Sequence, residues 1–304
     1  MIRYLTGRGP KRAVIVTTAA FLATIVVFGL YAARPAQADM VTLVGAGDIA
    51  SCSYNRDEKT AKLLDNIPGT VFTAGDNAYP SGTFTQFQNC YDPTWGRHKA
   101  RTRPSPGNHD YNTSGASGYY QYFGAAAGPS GAGYYSYNYG DWHIVVLNSM
   151  CELIVGGCSA TSPQAQWLRA DLAANPRFCT LAYWHHPVFS SGQHGNDPKM
   201  APAFQILYDN NADLVINGHD HDYERFAPQT PSGTADPARG IREIVVGTGG
   251  ARLRGFTTIR PNSEKRNAKT WGVLKLTLNP DSYSWQFVPV AGQTFTDSGT
   301  TSCH

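Results

Sequence analysis

Short apolar runs alternate along the chain with stretches whose apolar residues recur at helical spacing. The apolar runs are typical of buried strands and lie at 41–44, 70–73, 142–147, 178–184, 214–216 and 241–246. Helices are expected at 57–67, around 84–89, from Ser162 onwards and at 198–210. Two further strands, 271–278 and 282–290, follow without a helix between them. Strands alternating with helices predict an α/β fold, and the late strands predict partly antiparallel pairing. Two packed mixed sheets flanked by helices fit this order best.

The first 38 residues have the pattern of an export signal. Basic residues come first, an apolar run follows at 13–33, and Ala36-Gln37-Ala38 offers a cleavage site for a signal peptidase. The alternative is a retained membrane anchor, because the run approaches the ~20 residues that span a bilayer. We expect cleavage, which leaves 39–304 as one domain that is secreted, periplasmic or held at the cell surface.

The positive net charge of the whole chain comes from this leader. The sequence has 25 basic and 22 acidic residues, and the first 38 positions hold five of the basic residues and no acidic one. The remainder therefore has 20 basic against 22 acidic residues, a net charge of −2. This composition gives no indication of a nucleic-acid partner, or of a membrane partner once the leader is removed. Oligomeric state is left open.

All six cysteines lie after the leader, and an even number in an exported chain indicates disulfides. Six cysteines allow 15 connectivities. Cys151 with Cys158 is the easiest pair because a short Gly-Gly loop separates them. Cys52 with Cys90 is our second choice, which leaves Cys179 with Cys303. The alternative is one or more free buried thiols.

The segment 111–139 holds eight of the 17 tyrosines among many Gly, Ser and Ala residues. One interpretation is a loop that gives the substrate site aromatic walls. We favour the other, an irregular excursion whose tyrosines pack on the edge of a sheet.

Side chains that bind metals follow the ends of several predicted strands. The segments are Gly47-Asp48, Gly75-Asp76-Asn77-Ala78-Tyr79, Gly107-Asn108-His109-Asp110, His185 and Gly218-His219-Asp220-His221. Open α/β sheets bind ligands at the carboxyl ends of their strands. In extended backbone, residues two apart point to the same side, so His219 and His221 can face one point. One such segment is weak evidence, whereas five in the same structural position are strong evidence for a site.

This set resembles the calcineurin-like metallophosphoesterase superfamily and, within it, the purple acid phosphatases. The wider superfamily usually has a histidine where Ala50 stands and lacks a tyrosine at the position of Tyr79. Tyr79 is the feature shared with purple acid phosphatases, in which glycine replaces Ala50. The resemblance implies the four-layer α-β-β-α sandwich of the metallophosphoesterase fold. The amino-terminal domain of the plant enzymes is absent, so the small, single-domain form is expected.

The resemblance also implies two metal ions that share one bridging carboxylate. Asp48, Asp76, Tyr79 and His221 would hold the first ion, and Asp76, Asn108, His185 and His219 the second. Phenolate, carboxylate and imidazole suit Fe(III), while an amide and two imidazoles suit a divalent ion such as Fe, Zn or Mn. Hydroxide held by such a pair attacks phosphorus in line, so small phosphoesters are the expected substrates.

Two histidines are expected to act on the substrate without binding metal. By the family pattern His109 binds a phosphate oxygen or protonates the leaving alcohol, and His194 is a second imidazole on the substrate side. The same alignment makes His185 a ligand and His186 a non-ligand. Asp220, Glu224 and Arg225 are expected to form a salt-bridged support behind the site.

Three functions compete on this evidence. The first is a phosphomonoesterase of the acid phosphatase type; the complete ligand set and His109 argue against a protein without turnover, and Tyr79 and Ala50 argue against a typical cyclic-nucleotide diesterase. The second is a phosphodiesterase on the same scaffold. The third is an exported phosphate- or metal-binding protein without turnover.

Overall fold

The computed structural model describes residues 40–304, together with Gly7 and Gly9, so the expected leader falls almost entirely outside the described residues. The strands are, in chain order, β1 (Val41–Ala46), β2 (Ala50–Ser51), β3 (Thr70–Ala74), β4 (Ala78–Tyr79), β5 (Thr102–Ser105), β6 (Tyr135–Tyr139), β7 (Trp142–Val146), β8 (Cys179–Tyr183), β9 (Leu214–Asn217), β10 (Tyr223–Phe226), β11 (Arg242–Val246), β12 (Ser263–Asn267), β13 (Gly272–Leu278), β14 (Ser282–Pro289) and β15 (Ser298–Ser302). The α-helices are α1 (Arg56–Asp65), α2 (Phe84–Gln86), α3 (Asn108–Tyr111), α4 (Ser117–Phe123), α5 (Pro163–Ala174) and α6 (Ala201–Asp209).

Two mixed sheets form the centre of the fold. The first has the strand order β15-β14-β13-β1-β3-β5 and the second β12-β10-β11-β9-β8-β7-β6. In the first sheet β1, β3 and β5 are mutually parallel, and β13 joins β1 antiparallel. In the second, β7, β8, β9 and β11 are parallel and the outer strands antiparallel. The partly antiparallel pairing predicted from the late strands is present.

The central strands are buried on both faces, which makes the arrangement four layers deep. Along β7, Ile144 and Val146 face the core between the sheets, whereas Val145 packs with α5 and α6 on the other side. Such continuous apolar runs are expected where helices cover a parallel sheet. On the first sheet, α1 contributes Ala61 and Leu64 to the core. The predicted four-layer α-β-β-α sandwich is confirmed.

Helix α5 begins where the sequence predicts. The Ser162 hydroxyl accepts a hydrogen bond from the Ala165 amide at 3.2 Å, and Pro163 occupies the first helical position. Proline suits that position because its missing N–H would have no helical partner. Leu168 and Leu172 then face the second sheet and are buried.

The tyrosine-rich segment is more regular than expected, because it forms α4 and the edge strand β6. Tyr119 and Tyr122 are buried in the core, and Tyr135, Tyr137 and Tyr139 pack against it from β6. The interpretation that these tyrosines pack on a sheet edge is therefore confirmed, but the segment is not an irregular excursion. Pairing of β6 with β7 explains the difference, since it satisfies the backbone along the whole strand.

Three disulfides connect the six cysteines as expected, Cys52–Cys90, Cys151–Cys158 and Cys179–Cys303, and no cysteine among residues 40–304 is free. Cys179–Cys303 connects β8 to the carboxyl terminus across 124 positions of sequence. None of the helices described has the length and apolar character needed to cross a bilayer.

Candidate metal centre

The candidate ligands meet where the two sheets present the carboxyl ends of parallel strands. Asp48 follows β1 and Asp76 follows β3, while His185 follows β8 in the other sheet. Backbone hydrogen bonds join the sheets at this point, from the Gly47 amide to the Val246 carbonyl at 3.0 Å. The topology thus brings together ligand-type side chains that are far apart in sequence.

Three of these residues have backbone conformations that side chains rarely adopt. Asp48, Asp76 and His219 have φ values of 60°, 50° and 71°. Residues in this left-handed region cost free energy and persist where the surrounding structure holds them in place. Here the sharp turns aim the side chains back over the strand ends, which is an arrangement typical of a functional site.

Two glycines allow the turns to pack against the site residues. Gly75 has a φ of 78°, and a Cβ added to it would lie 2.5 Å from the Nδ1 atom of His185. A Cβ on Gly218 would lie 2.7 Å from the Oδ2 atom of Asp48. Only glycine fits at either position without moving a candidate ligand.

Four candidate ligands form a first group around the Tyr79 hydroxyl. It lies 2.8 Å from Asp48 Oδ1, 3.1 Å from Asp76 Oδ2 and 3.2 Å from His221 Nε2. The His221 Nε2 atom is also 3.2 Å from Asp48 Oδ1. The metal-ligating atoms of two carboxylates, a phenol and an imidazole therefore lie close together and face one another.

A second group shares the Asp76 Oδ2 atom with the first. His185 Nε2 lies 3.3 Å from this oxygen and 3.1 Å from Asn108 Oδ1. The ring of His219 lies edge-on to that of His185 with 5.1 Å between centroids, and its backbone amide donates to Asp48 Oδ2. The Asp76 Oδ2 atom is therefore the atom that the two groups have in common.

Hydrogen bonds to backbone carbonyls determine which ring nitrogen of His185 and of His221 faces the other candidate ligands. The Nδ1 atom of His185 donates to the Ala74 carbonyl at 2.8 Å, and that of His221 donates to the Arg252 carbonyl at 2.8 Å. In the neutral ring, each Nε2 therefore presents a lone pair towards carboxylate or amide oxygens. Lone pairs facing lone pairs repel unless a cation lies between them, so the residues fit a metal centre.

The charges of the buried groups point to the same need for a cation. Burial raises the pKa of Tyr79 well above its usual value, and the carboxylates of Asp48 and Asp76 raise it further. Burial would also raise the pKa of Asp76, but His185 and His109 together outweigh burial and bring the value to about 2. Burial lowers the pKa of His185, but Asp76, Asp48 and the hydrogen bond to the Ala74 carbonyl together raise it to about 9. A positive charge next to Asp76 stabilises its buried carboxylate, and either a proton or a metal ion can supply that charge.

His109 lies at the edge of the first group and faces the cleft. Its Nδ1 atom donates to the Pro80 carbonyl at 2.6 Å, and its Nε2 atom is 3.9 Å from Asp76 Oδ2. Its ring packs on that of Tyr79 with 4.3 Å between centroids. The hydrogen bond to the Pro80 carbonyl keeps the Nε2 atom directed towards the first group.

His194 lies at the opposite side, stacked on His219 with 4.3 Å between ring centroids. Its backbone amide donates to Asp220 Oδ1 at 2.8 Å, and its Nε2 atom accepts from Arg254 Nη1 at 2.6 Å. The structure therefore brings all nine predicted site residues together. It also shows that the Nε2 atom of His194 is already engaged by an arginine that the sequence analysis did not select.

His186 is closer to the second group than expected of a bystander. Its ring lies 4.2 Å from that of His219 and 4.8 Å from that of His185, and its Nδ1 atom is 2.8 Å from the Ser149 hydroxyl. Burial and the neighbouring imidazoles hold the pKa of His186 well below its usual value, so the ring is neutral. Its ring packs beside the rings of the candidate ligands His185 and His219.

The expected salt-bridged support is only partly correct. Arg225 pairs with Asp297 at 2.6 Å and also with Glu264. In residues 40–304, however, Asp220 and Glu224 have no ion-pair partner and instead accept hydrogen bonds from serine hydroxyls and backbone amides. The reason is that neighbouring residues of a strand point to opposite faces of the sheet, so Glu224 faces Ser191 and Ser263 while Arg225 faces Asp297.

A cavity of about 250 Å³ opens beside the first group. Tyr79, His109 and His221 line it together with two arginines, Arg252 and Arg254. The arginines stand in a loop without a recognisable motif, and their neighbours lie far away in sequence. No local sequence signal therefore marks these two arginines as part of the site.

Comparisons with known proteins agree with this geometry. A family model described as calcineurin-like phosphoesterase matches residues 41–223. Purple acid phosphatase 15 of Arabidopsis thaliana is 28% identical over 243 residues, which cover 68% of this chain and 44% of that protein. Purple acid phosphatase 18 of the same plant is 34% identical over 125 residues, covering 39% of this chain and 27% of that protein. The chain spans less than half the length of these two relatives.

Solved structures share the fold. Purple acid phosphatase PPD1 from yellow lupin (Lupinus luteus) seeds has a TM-score of 0.68 at 19% identity, covering 88% of this chain and 55% of that chain. GAP50, the anchor in the inner membrane complex of Plasmodium, has a TM-score of 0.66 at 13% identity, covering 87% and 89%. At these identities the likeness shows the fold alone. The resemblance predicted from the strand-end motifs is confirmed, and the chain belongs to the calcineurin-like phosphoesterase family, with purple acid phosphatases among its relatives.

Proposed function

We propose that this protein is an exported, metal-dependent phosphomonoesterase with a dinuclear centre. The observation that carries the proposal is the pair of donor groups that share Asp76 Oδ2, in which imidazole lone pairs face oxygen atoms. Family membership supports phosphoester hydrolysis as the reaction class. Three disulfides support an oxidising compartment, in line with removal of a leader at 1–38 from a domain at 39–304.

The residues fit two different metal ions. Asp48, Asp76, Tyr79 and His221 would hold Fe(III), for which phenolate and carboxylate are suitable hard ligands. Asp76, Asn108, His185 and His219 would hold a divalent Fe, Zn or Mn ion. When bound, such a pair neutralises the charge of a phosphoester and lowers the pKa of water enough to supply a nucleophile near neutral pH.

The protein's own groups then position the ester and manage the proton. With Nδ1 bound to the Pro80 carbonyl, a protonated His109 presents an N–H at Nε2 to the cleft. This N–H is placed to donate to a phosphate oxygen or to the departing alcohol oxygen. The ring of Tyr79 packs against the ring of His109, so the direction of the N–H is set before a substrate binds.

The experiment compares turnover of phenyl phosphate and diphenyl phosphate by the purified protein after metal loading. We expect phenyl phosphate to be hydrolysed with the larger kcat/KM. Preference for diphenyl phosphate would assign a phosphodiesterase instead. Binding of phosphate without turnover of either ester, in a protein that holds its metals, would identify a non-catalytic binding protein.

A further inference from the structure

Two arginines that the proposed reaction does not use lie at the mouth of the site. Arg252 and Arg254 line the 250 Å³ cavity together with Tyr79, His109 and His221. They also line a neighbouring depression of about 420 Å³ formed with Gln193, Leu253 and Gly255. The arginines therefore stand between the candidate metal centre and an open space large enough for the remainder of a substrate.

The loop that holds the arginines is fixed to the candidate ligands. The Arg254 amide donates to the His221 carbonyl at 3.0 Å, and the Arg252 carbonyl accepts from His221 Nδ1 at 2.8 Å. The Ala251 amide donates to the Asp48 carbonyl at 2.8 Å. The backbone of the loop is held at these three points. The two arginine side chains therefore leave the backbone at fixed positions beside the candidate metal centre.

The positive charges of these arginines are not neutralised by protein carboxylates. In residues 40–304 no carboxylate forms an ion pair with Arg252 or Arg254. Arg252 is exposed, whereas Arg254 is half-buried and donates to the Nε2 atom of His194 at 2.6 Å. By contrast Arg225, Arg242 and Arg97 all pair with acidic residues. Unpaired arginines beside an anion site are available to a ligand.

We propose that Arg252 and Arg254 are specificity-determining residues that recognise a second phosphate group on the substrate. Each guanidinium presents a planar fork of N–H donors that matches two phosphate oxygens. A phosphate offers three such oxygens and close to two negative charges, so one phosphate can engage both arginines. The preferred substrates are then small bisphosphates, with one phosphate at the candidate metal centre and the other at the arginines. This inference rests on the proposed phosphomonoesterase function.

The test uses linear diols that carry either one phosphate or a phosphate at each end. Ethanediol, butanediol and hexanediol provide three separations with nearly the same leaving alcohol. We expect the wild-type kcat/KM of at least one bisphosphate to exceed that of its monophosphate roughly tenfold, after correction for its two equivalent groups, since a charge-assisted hydrogen bond contributes about that much. The preference should decrease as the salt concentration rises.

Arg252→Ala should remove most of this preference and leave hydrolysis of the monophosphates unchanged, because the side chain is exposed and the substitution keeps the backbone carbonyl that accepts from His221. Arg252→Gln provides a variant of similar length if alanine disturbs the loop. Arg177→Ala removes an equal charge at an exposed position paired with Asp141, and should keep the preference. Arg254→Ala should reduce the preference and also affect the monophosphates, through His194.

A second measurement avoids turnover altogether. Calorimetry should show that the bisphosphonate of the best separation binds roughly tenfold more tightly than the monophosphonate, and that Arg252→Ala abolishes the difference. Equal constants for both substrates in the wild type, or an unchanged preference in Arg252→Ala and Arg252→Gln, would overturn the inference while leaving the proposed function intact. Absence of monophosphate hydrolysis would instead contradict the proposed function.

Discussion

Asp76 is the residue on which both donor groups depend. Its Oδ2 atom contacts the Tyr79 hydroxyl and His185 Nε2, while its Oδ1 atom accepts from the His109 amide at 2.7 Å. A single carboxylate therefore contacts the phenol of Tyr79, the imidazole of His185 and the backbone of His109. This linkage explains why the residue tolerates a φ of 50°.

Tyr79→Phe should abolish any visible absorption of the protein and leave the fold intact. Phenolate bound to ferric iron gives a charge-transfer band, and phenylalanine has no oxygen to coordinate the metal. The two side chains have nearly the same shape, so the denaturation midpoint should shift little. Absorption spectra of the two proteins measure the effect.

Tyr54→Phe is the matched control, since Tyr54 lines the same cavity outside the donor groups and is 49% exposed. It should retain the band. If Tyr79→Phe also retained it, another tyrosine would have to be the ligand.

His109→Ala should lower turnover about 10²–10⁴-fold while the metal content stays unchanged. Alkyl phosphates should lose more activity than aryl phosphates if His109 protonates the leaving oxygen, because an alkoxide needs the proton more than a phenolate does. Steady-state kinetics on one substrate of each kind measure the difference.

Equal losses on both substrates would assign His109 to binding phosphate oxygens. His98→Ala is the control, as this histidine pairs with Asp65 in another part of the chain and should keep full turnover. Loss of a metal ion from His109→Ala would contradict its assignment as a non-ligand.

At the scale of secondary structure, the site depends on the turns that follow β1, β3 and β9. Gly75 ends β3 with a φ of 78° and lies against His185 of the other sheet. Both the conformation and the contact exclude a side chain there. The two sheets can approach at their carboxyl ends only because these turns are so closely packed.

Gly75→Ala should lower the free energy of unfolding by about 2–4 kcal/mol, the sum of a left-handed backbone and a displaced His185 ring. Gly131→Ala is the matched control, with a φ of 81° and no heavy atom within 4 Å of the added Cβ. It should cost only the backbone term, about 1–2 kcal/mol. Urea unfolding measures both variants, and equal losses would show that the His185 contact is unimportant.

Sequence patterns predicted the central elements but missed strands whose composition is atypical. The apolar runs of β7, β8 and β9 were predicted because they are buried on both faces. Strand β10 was not predicted because it contains the charged residues Glu224 and Arg225, whose partners come from distant segments. The polar residues of β15 (Ser298–Ser302) are typical of a loop, and only pairing with β14 makes them a strand.

The candidate site divides in the same way. The candidate ligands could be selected from the sequence because the strand-end motifs resemble those of a known family, and the structure brings these residues together. The contact between Arg254 and His194 was not, because two loops distant in sequence form it and neither contains a motif. The partners of Asp220 and Glu224 were mispredicted for the same reason.

At the scale of the whole molecule, the three disulfides connect different distances along the chain. Cys179–Cys303 closes a loop of 124 positions and joins the carboxyl terminus to β8, whereas Cys151–Cys158 closes only seven. In the chain-entropy model, a longer loop restricts the unfolded state more.

Replacing Cys179 and Cys303 together by serine should therefore cost more stability than replacing Cys151 and Cys158. We expect a difference of about 2.5 kcal/mol from loop length. Urea unfolding of the two double variants at one pH measures it. The opposite order would show that local packing, rather than loop closure, decides the contribution of each disulfide.

The most direct test of the central claim is the metal content of the purified protein, measured by elemental analysis against protein concentration. The account predicts about two metal ions per chain, at least one of them iron, because two donor groups share Asp76 and one contains a tyrosine. Asp76→Asn should reduce the content, as the bridging oxygen would lose its charge. A wild-type protein that held a single ion, or two zinc ions without iron, would contradict the account.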